Sequence, residues 1–167
     1  PHRWKEGLKS RFNVAPLNTL YDYSEYVKKY PIPMITHEIG QWCVYPNYDE
    51  IKKYTGVLKP YNYQIFRESL RDHHMLDLAE EFTRASGKFH LIQKKEEFES
   101  YYRTPGMAGY HLLQLNDFPG QGTSPVGVVD VFWDPKPYVT ADEFKSMVSP
   151  CLPLLLTSSF VWTNDSI

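Results

Sequence analysis

The stretch of this chain best equipped for chemistry is PMITHEIGQW at positions 33–42. A short apolar run ends in one carboxylate, Glu38, and the chain then turns through Gly40 into Gln41 and Trp42. In a parallel α/β protein the C-terminal end of a strand is where ligands bind and reactions occur. A carboxylate there can serve as base, acid or nucleophile, and a nearby tryptophan offers a flat apolar face for the C–H side of a sugar. Hydrolysis of a glycosidic bond takes two such carboxyl groups, so Glu38 supplies half of a site. The plain alternative is a salt-bridged carboxylate that merely closes a strand. Gln41 and Trp42, just past the strand, can meet a hydroxyl and a ring face, and Trp42 can equally pack the loop. Strand alternation turns His37 to the side opposite Glu38, so it supports the site at most from behind.

Other motifs carry less. His73 and His74 are adjacent on a helical stretch and point about 100° apart, which does not suit chelation of one metal. Gly120-Gln121-Gly122 lacks the remaining glycine and the helix of a dinucleotide loop. A Gly-x-Ser-x-Gly elbow is absent from the sequence.

The elements that must position Glu38 can be read from periodicity and punctuation. Residues 1–18 show no sustained period and read as a loop. Asn18 or Thr19 caps a predicted helix to about Lys29, which Pro31 and Pro33 stop. Residues 34–37 form a short strand, with Pro33 tolerated at its edge. A short helix over 50–54 starts from Asn47 or Asp49, and another covers 63–71. A long helix spans about 76–102, interrupted near Gly87, with Leu78, Phe82, Ala85, Phe89 and Ile92 expected as its buried stripe. YHLLQL at 110–115 is a second strand, and it runs into a polar, glycine-rich loop. VGVVDVF at 126–132 is a third extended piece. Thr140 and Glu143 form a capping box for a last helix to about Val148, ended by Pro150 and Pro153.

This is the βα alternation of a parallel α/β architecture. With only two convincing strands, it reads as part of a larger barrel.

At 167 residues the chain is long enough for one sizeable core. A net charge of -2 and a pI near 6.3 give no electrostatic case for nucleic acid or an anionic membrane. No window approaches the roughly 20 apolar residues of a membrane helix, and the first residues lack the apolar centre of a signal peptide. Cys43 and Cys151 have no metal-site spacing; a disulfide between them is open, and two unpaired thiols fit better. Aromatic residues make up 16% of the chain, which suits both core packing and sugar stacking.

Three long segments carry a family resemblance: THEIGQWCVYPNYDEIKKYTGVLKPYN at 36–62, LNDFPGQGTSPVGVVDVFWDPKPYVT at 115–140 and the closing VWTND. Through them, from about residue 11 to the end, the chain resembles the C-terminal part of the catalytic (β/α)8 barrel of glycoside hydrolase family 2. That family holds β-galactosidases, β-glucuronidases and β-mannosidases. The motifs are most similar to a subgroup from polysaccharide-degrading Bacteroidetes.

The resemblance implies an α/β fold in which residues 1–153 supply strands seven and eight of a TIM barrel with their helices, incomplete as an isolated chain. Residues 154–167 would form a linker and the start of a following β-sandwich. Glu38 matches the catalytic nucleophile that ends strand seven. Asn116 and Asp117 fall on the catalytic-face loop after strand eight, where they can bind sugar hydroxyls or, equally, cap the Pro119-Gly120 turn. Trp4 and Arg3 would follow strand six and line the pocket, Arg3 suiting an acidic sugar such as a uronate.

The implied reaction is retaining removal of a terminal β-linked sugar from a complex glycan, with no cofactor and no metal. The implied partners are the carbohydrate substrate and the rest of the barrel with its flanking β-sandwich domains, not nucleic acid or membrane. The implied location is periplasmic or secreted. The departure is that the family's acid/base is a glutamate after an asparagine at the end of strand four, and no Asn-Glu pair occurs here. The isolated chain is therefore expected to be inactive. The rival expectation is a non-catalytic carbohydrate-binding or scaffold piece with a vestigial Glu38.

Overall fold

The computed structural model describes residues 18–119, 121–123 and 125–166. Arg3, Trp4 and the loop expected over the first residues lie outside the described residues.

The first helix is shorter than its apolar spacing suggests. The Asp22 carboxylate accepts from the Ser24 backbone N–H at 3.0 Å and starts α1 (Ser24–Lys29). Thr19 serves a different purpose: its N–H donates to the Thr157 carbonyl at 3.0 Å and its hydroxyl oxygen accepts from the Thr157 N–H at 2.6 Å. The chain's later tail is thereby tied to the start of the described region.

Strand β1 (Met34–Ile39) runs two residues beyond the expected strand. A 3-10 helix follows over Tyr48–Lys53, opened by the Asn47 side chain accepting from the Asp49 N–H. Helix α2 (Tyr61–Asp72) and a 3-10 turn (Leu76–Leu78) lead into the long α3 (Ala79–Arg103). Strand β2 (Met107–Leu112) begins and ends three residues before the expected 110–115, and α4 (Ala141–Met147) carries the anticipated Thr140–Glu143 capping box.

The two strands lie side by side and parallel, joined by the helical crossover that parallel pairing requires. Met34 pairs with Met107, Thr36 with Tyr110 and Ile39 with Leu112, and the register slips between Thr36 and Ile39. The fold is thus mixed α/β, with one small parallel sheet and several helices among the described residues. Residues 126–132 do not form a strand. Val129 makes only isolated bridges, to Asn116 and to Pro135.

Helix α3 corrects two expectations. It is unbroken at Gly87, where the missing Cβ admits the Tyr138 ring; an added Cβ would lie 2.3 Å from that ring. Its apolar stripe also faces the other way. Phe89 and Ile92 are each 48% exposed, Leu78 and Ala85 are exposed, and Phe82 is half-buried. The buried face instead carries His90, Lys94, Glu96, Glu99 and Ser100 together with Leu91 and Phe98. The polar groups are inside because they have partners: Arg103 lies 2.7 Å from Glu96 and 3.4 Å from Glu99, all three nearly sealed from solvent.

The apolar core forms where α3, β1 and α4 meet. Phe98, Leu91, Ile39, Tyr138, Val139 and Met147 pack together there, and the Tyr138 hydroxyl donates to the Gly127 carbonyl at 3.0 Å. Beyond α4 the chain is irregular to a 3-10 turn at Asn164–Ser166. No helix among the described residues is long and apolar enough to cross a membrane.

Candidate active site

Glu38 sits next to the last residue of β1 with φ +53, a left-handed backbone conformation uncommon for a side chain of its size. This residue lies within the register shift between Thr36 and Ile39, where the alternation expected to send His37 away does not hold. The His37 Nε2 lies 3.4 Å from Glu38 Oε1. On the other oxygen, the Gln41 amide donates to Glu38 Oε2 at 2.9 Å and also to the Glu38 carbonyl at 3.1 Å. The Glu38 side chain is 45% exposed, so both oxygens are oriented by neighbours while the group remains open to solvent. A carboxylate with two oriented oxygens and an open face can attack an electrophile or carry a proton.

The loop after Glu38 is held through its backbone. Gly40 has φ +81, and a Cβ there would meet Leu112 at 2.7 Å and the Lys94 amine at 2.9 Å. Its N–H donates to Glu97 at 2.7 Å, its carbonyl accepts from Lys94 at 2.9 Å, and the Trp42 carbonyl accepts from His90 Nδ1 at 2.5 Å. Trp42 is half-buried by this arrangement.

The loop after β2 behaves differently. Asn116 is half-exposed, and its amide donates to the Asp117 carbonyl at 3.0 Å. Asp117 is buried, 2% exposed; Oδ1 accepts from the Gly127 N–H at 2.8 Å and Oδ2 lies 2.6 Å from the Lys136 ammonium. Burial pushes the Asp117 carboxyl up while Lys136 pulls it down. A sugar hydroxyl would reach Asp117 only by displacing Lys136 or opening the Gly127 loop. Its capping role is thus directed to Gly127.

Nearby, the buried Glu50 accepts from the Tyr63 hydroxyl at 3.1 Å and is pushed up to about 7 by burial, against the pull of Lys136. Lys53 bridges Asp130 and Asp134 at 2.5 and 2.7 Å. A small cleft of about 40 Å³ opens beside this cluster between Asn62, Tyr63, Asp117 and Gln121.

Sequence reasoning missed several of these residues. His111 on β2 brings its ring to 6.2 Å from the His37 ring, which the pairing of two strand ends could have suggested. His90, Lys94 and Glu97 stand at i, i+4 and i+7, a helical row visible in HLIQKKEE but overshadowed by the apolar stripe. Lys136 sits between two prolines in an apolar stretch, with no local signal that it would be buried. Cys43 and Cys151 are free, exposed thiols. A scan against protein-family models and a search of curated proteins gave no match to this chain.

Proposed function

We propose that this chain is the C-terminal part of the (β/α)8 barrel of a retaining glycoside hydrolase similar to family 2, with Glu38 as its nucleophile. The observation that carries the reading is the Glu38 carboxylate itself. It stands at the C-terminal end of a parallel strand, half-open to solvent, with one oxygen held by Gln41 and the other beside His37. The long motif resemblance gives the reaction class.

In this reading ionised Glu38 attacks the anomeric carbon and forms a glycosyl-enzyme. The second carboxyl group protonates the leaving oxygen, then takes a proton from the water that releases the sugar. That second group comes from outside this chain, about 5–5.5 Å from Glu38 in a retaining geometry. Gln41 orients the nucleophile, Trp42 offers a ring face, and Asn116 is available to a hydroxyl. Arg3 and Trp4 would line the pocket from the preceding loop, and residues 154–167 would lead into a β-sandwich.

The exposed apolar side chains support a larger assembly. Ile35 on β1 is 52% exposed, Phe89 and Ile92 on α3 are each 48% exposed, and parallel sheets are normally covered on both faces. The substrate is a terminal β-linked sugar on a complex glycan, and the location is periplasmic or extracellular by resemblance.

The test is hydrolysis of aryl β-glycosides by the full-length parent, wild type against Glu38→Gln. A fall of about 10³-fold or more in kcat, not restored by more substrate, is expected. Near-normal turnover in the variant would sink the assignment. The second reading is a non-catalytic carbohydrate-binding or scaffold piece with a vestigial Glu38; glycan binding without turnover in either protein selects it, and an Asn-Glu pair at a strand end upstream of Glu38 in the parent counts against it.

A further inference from the structure

One face of α3 reads the backbone of the loop that follows Glu38. His90, Lys94 and Glu97 stand at i, i+4 and i+7, which places them in a row on the helix surface. Their targets lie on the two residues that flank Gln41 in the loop: Trp42 carbonyl for His90 (2.5 Å), Gly40 carbonyl for Lys94 (2.9 Å), Gly40 N–H for Glu97 (2.7 Å). Helix and loop lie some fifty residues apart in the chain, so this is tertiary design rather than local turn chemistry. Gly40 is further confined by Leu112 of β2, which leaves room for no side chain.

The protonation states fit the task. The Trp42 carbonyl only accepts, so His90 carries its proton on Nδ1. Its Nε2 is buried with no partner among the described residues, and burial followed by the Lys94 cation pushes the imidazole down to about 3. His90 is therefore a fixed neutral donor. Lys94 is fully buried and lowered to about 8 by burial, with the Glu97 carboxylate pulling the other way. Removing Glu97 therefore takes away both the Gly40 acceptor and the charge that favours Lys94 as a cation. The three bond the loop backbone, while the Glu38 carboxylate has Gln41 and His37 as its neighbours, so they act through the loop and are not catalytic residues.

We propose that His90, Lys94 and Glu97 are positioning residues that lock the Gly40–Trp42 backbone and so hold Gln41 against the Glu38 carboxylate in its attacking orientation. The inference rests on Glu38 being the nucleophile. It adds where the orientation comes from: Gln41 is flanked on both sides by clamped residues, and its amide is the group that fixes Glu38 Oε2. A small shift of the loop would rotate the nucleophile away from the anomeric carbon, and displacement by about 1 Å can lower rates 10²-fold.

The experiment uses the full-length parent, with Glu97→Ala, Glu97→Gln and Glu38→Gln assayed together on an aryl β-glycoside. Hydrogen exchange of the Gly40 amide is followed in the same proteins. Glu97→Ala should lower kcat about 10- to 100-fold with KM within about 2-fold, and Gly40 should lose protection. Glutamine keeps an acceptor for the Gly40 N–H, so Glu97→Gln should restore protection and bring kcat to within about 5-fold of wild type.

Unchanged kcat in Glu97→Ala, or full Gly40 protection in it, overturns the positioning role while an inactive Glu38→Gln leaves the nucleophile standing. Near-normal turnover in Glu38→Gln overturns the nucleophile and the catalytic meaning of the clamp together. If the alanine variant fails to fold, Glu97→Gln decides alone: a folded glutamine variant in which Gly40 loses protection while kcat stays at the wild-type value equally overturns the proposal.

Discussion

Two carboxylate-bearing regions of this molecule stand in opposition. Around Glu38 the charge lies at the surface, its oxygens arranged by an amide and an imidazole and its third side open. Around Asp117 and Glu50 the carboxyl groups are sealed: Asp117 against Lys136 and the Gly127 N–H, Glu50 against the Tyr63 hydroxyl. Glu38 closes β1, Asp117 and Glu50 lie in the segments that follow β2 and β1, and both regions put an acid beside potential donors. What separates them is access. An accessible, oriented carboxylate can do chemistry, whereas a buried one held by partners from distant segments ties loops together.

The largest effect that can break this contrast is in rate. Glu38→Gln should remove about 10³-fold or more of the glycosidase activity proposed for the parent. Its unfolding free energy should stay within about 0.5 kcal/mol of wild type, because the side chain is half-exposed. Denaturant unfolding beside the rate assay decides it. A stability loss comparable to that of a buried charge would place Glu38 with Asp117 after all.

The converse substitution acts on the sealed region. Lys136→Met leaves the Asp117 carboxylate buried without its cation, and removing one partner of a buried pair costs about 3–5 kcal/mol. Changing both, Asp117→Asn with Lys136→Met, should recover part of that loss, since an uncompensated charge is no longer buried. If the single variant unfolds at the wild-type midpoint, the pair is not the staple described.

How legible these regions were differs for a physical reason. The Glu38 site declared itself through local signals: a short apolar run, a carboxylate at its end, a glycine and an aromatic immediately after. The Thr140–Glu143 cap was equally visible, because a capping box is a spacing of three residues. The left-handed φ of Glu38 was not visible, and with it went the placement of His37, which the alternation rule put on the wrong side.

The clamp and the buried pair join residues distant in sequence, His90 with Trp42 and Asp117 with Lys136, and no periodicity encodes such meetings. The apolar stripe of α3 misled for a related reason. Spacing tells which residues share a face, and the partners available in three dimensions decide which face is buried. Those partners were the Gly40 loop and Arg103.

A smaller effect, in pH dependence, sharpens the sealed half. Burial raises Glu50 from 4.5 to about 7 in the folded protein, so between those values the native state keeps a proton that the unfolded chain has released. Stability must then fall as pH rises through that window, by at most about 1.4 kcal/mol per pH unit from this one group. Glu50→Gln stays neutral and can still accept from Tyr63, so its stability curve should lack that decline. Midpoints measured at pH 4.5, 6 and 7.5 for both proteins give the answer; parallel curves would mean that Glu50 ionises freely.

The smallest effect tests whether the two regions are mechanically separate. Helix α4 is only seven residues long, held by the Thr140 cap at one end, by Lys88–Glu143 at 2.7 Å across to α3, and by Phe144 against Phe98 with ring centres 6.4 Å apart. Thr140→Ala removes the acceptor for the Glu143 N–H and should cost about 1 kcal/mol. The contact loosened is that of α4 with Phe98 in the core, whereas His90, Lys94 and Glu97 are held to the Gly40–Trp42 backbone by their own hydrogen bonds. Activity of the parent should therefore be unchanged at temperatures well below the transition, with only the midpoint lowered. A matching fall in kcat would show that α3 transmits the strain of a lost cap to Glu38, and the division between a rigid interior and an independently held site would then have to be redrawn along the helix rather than across it.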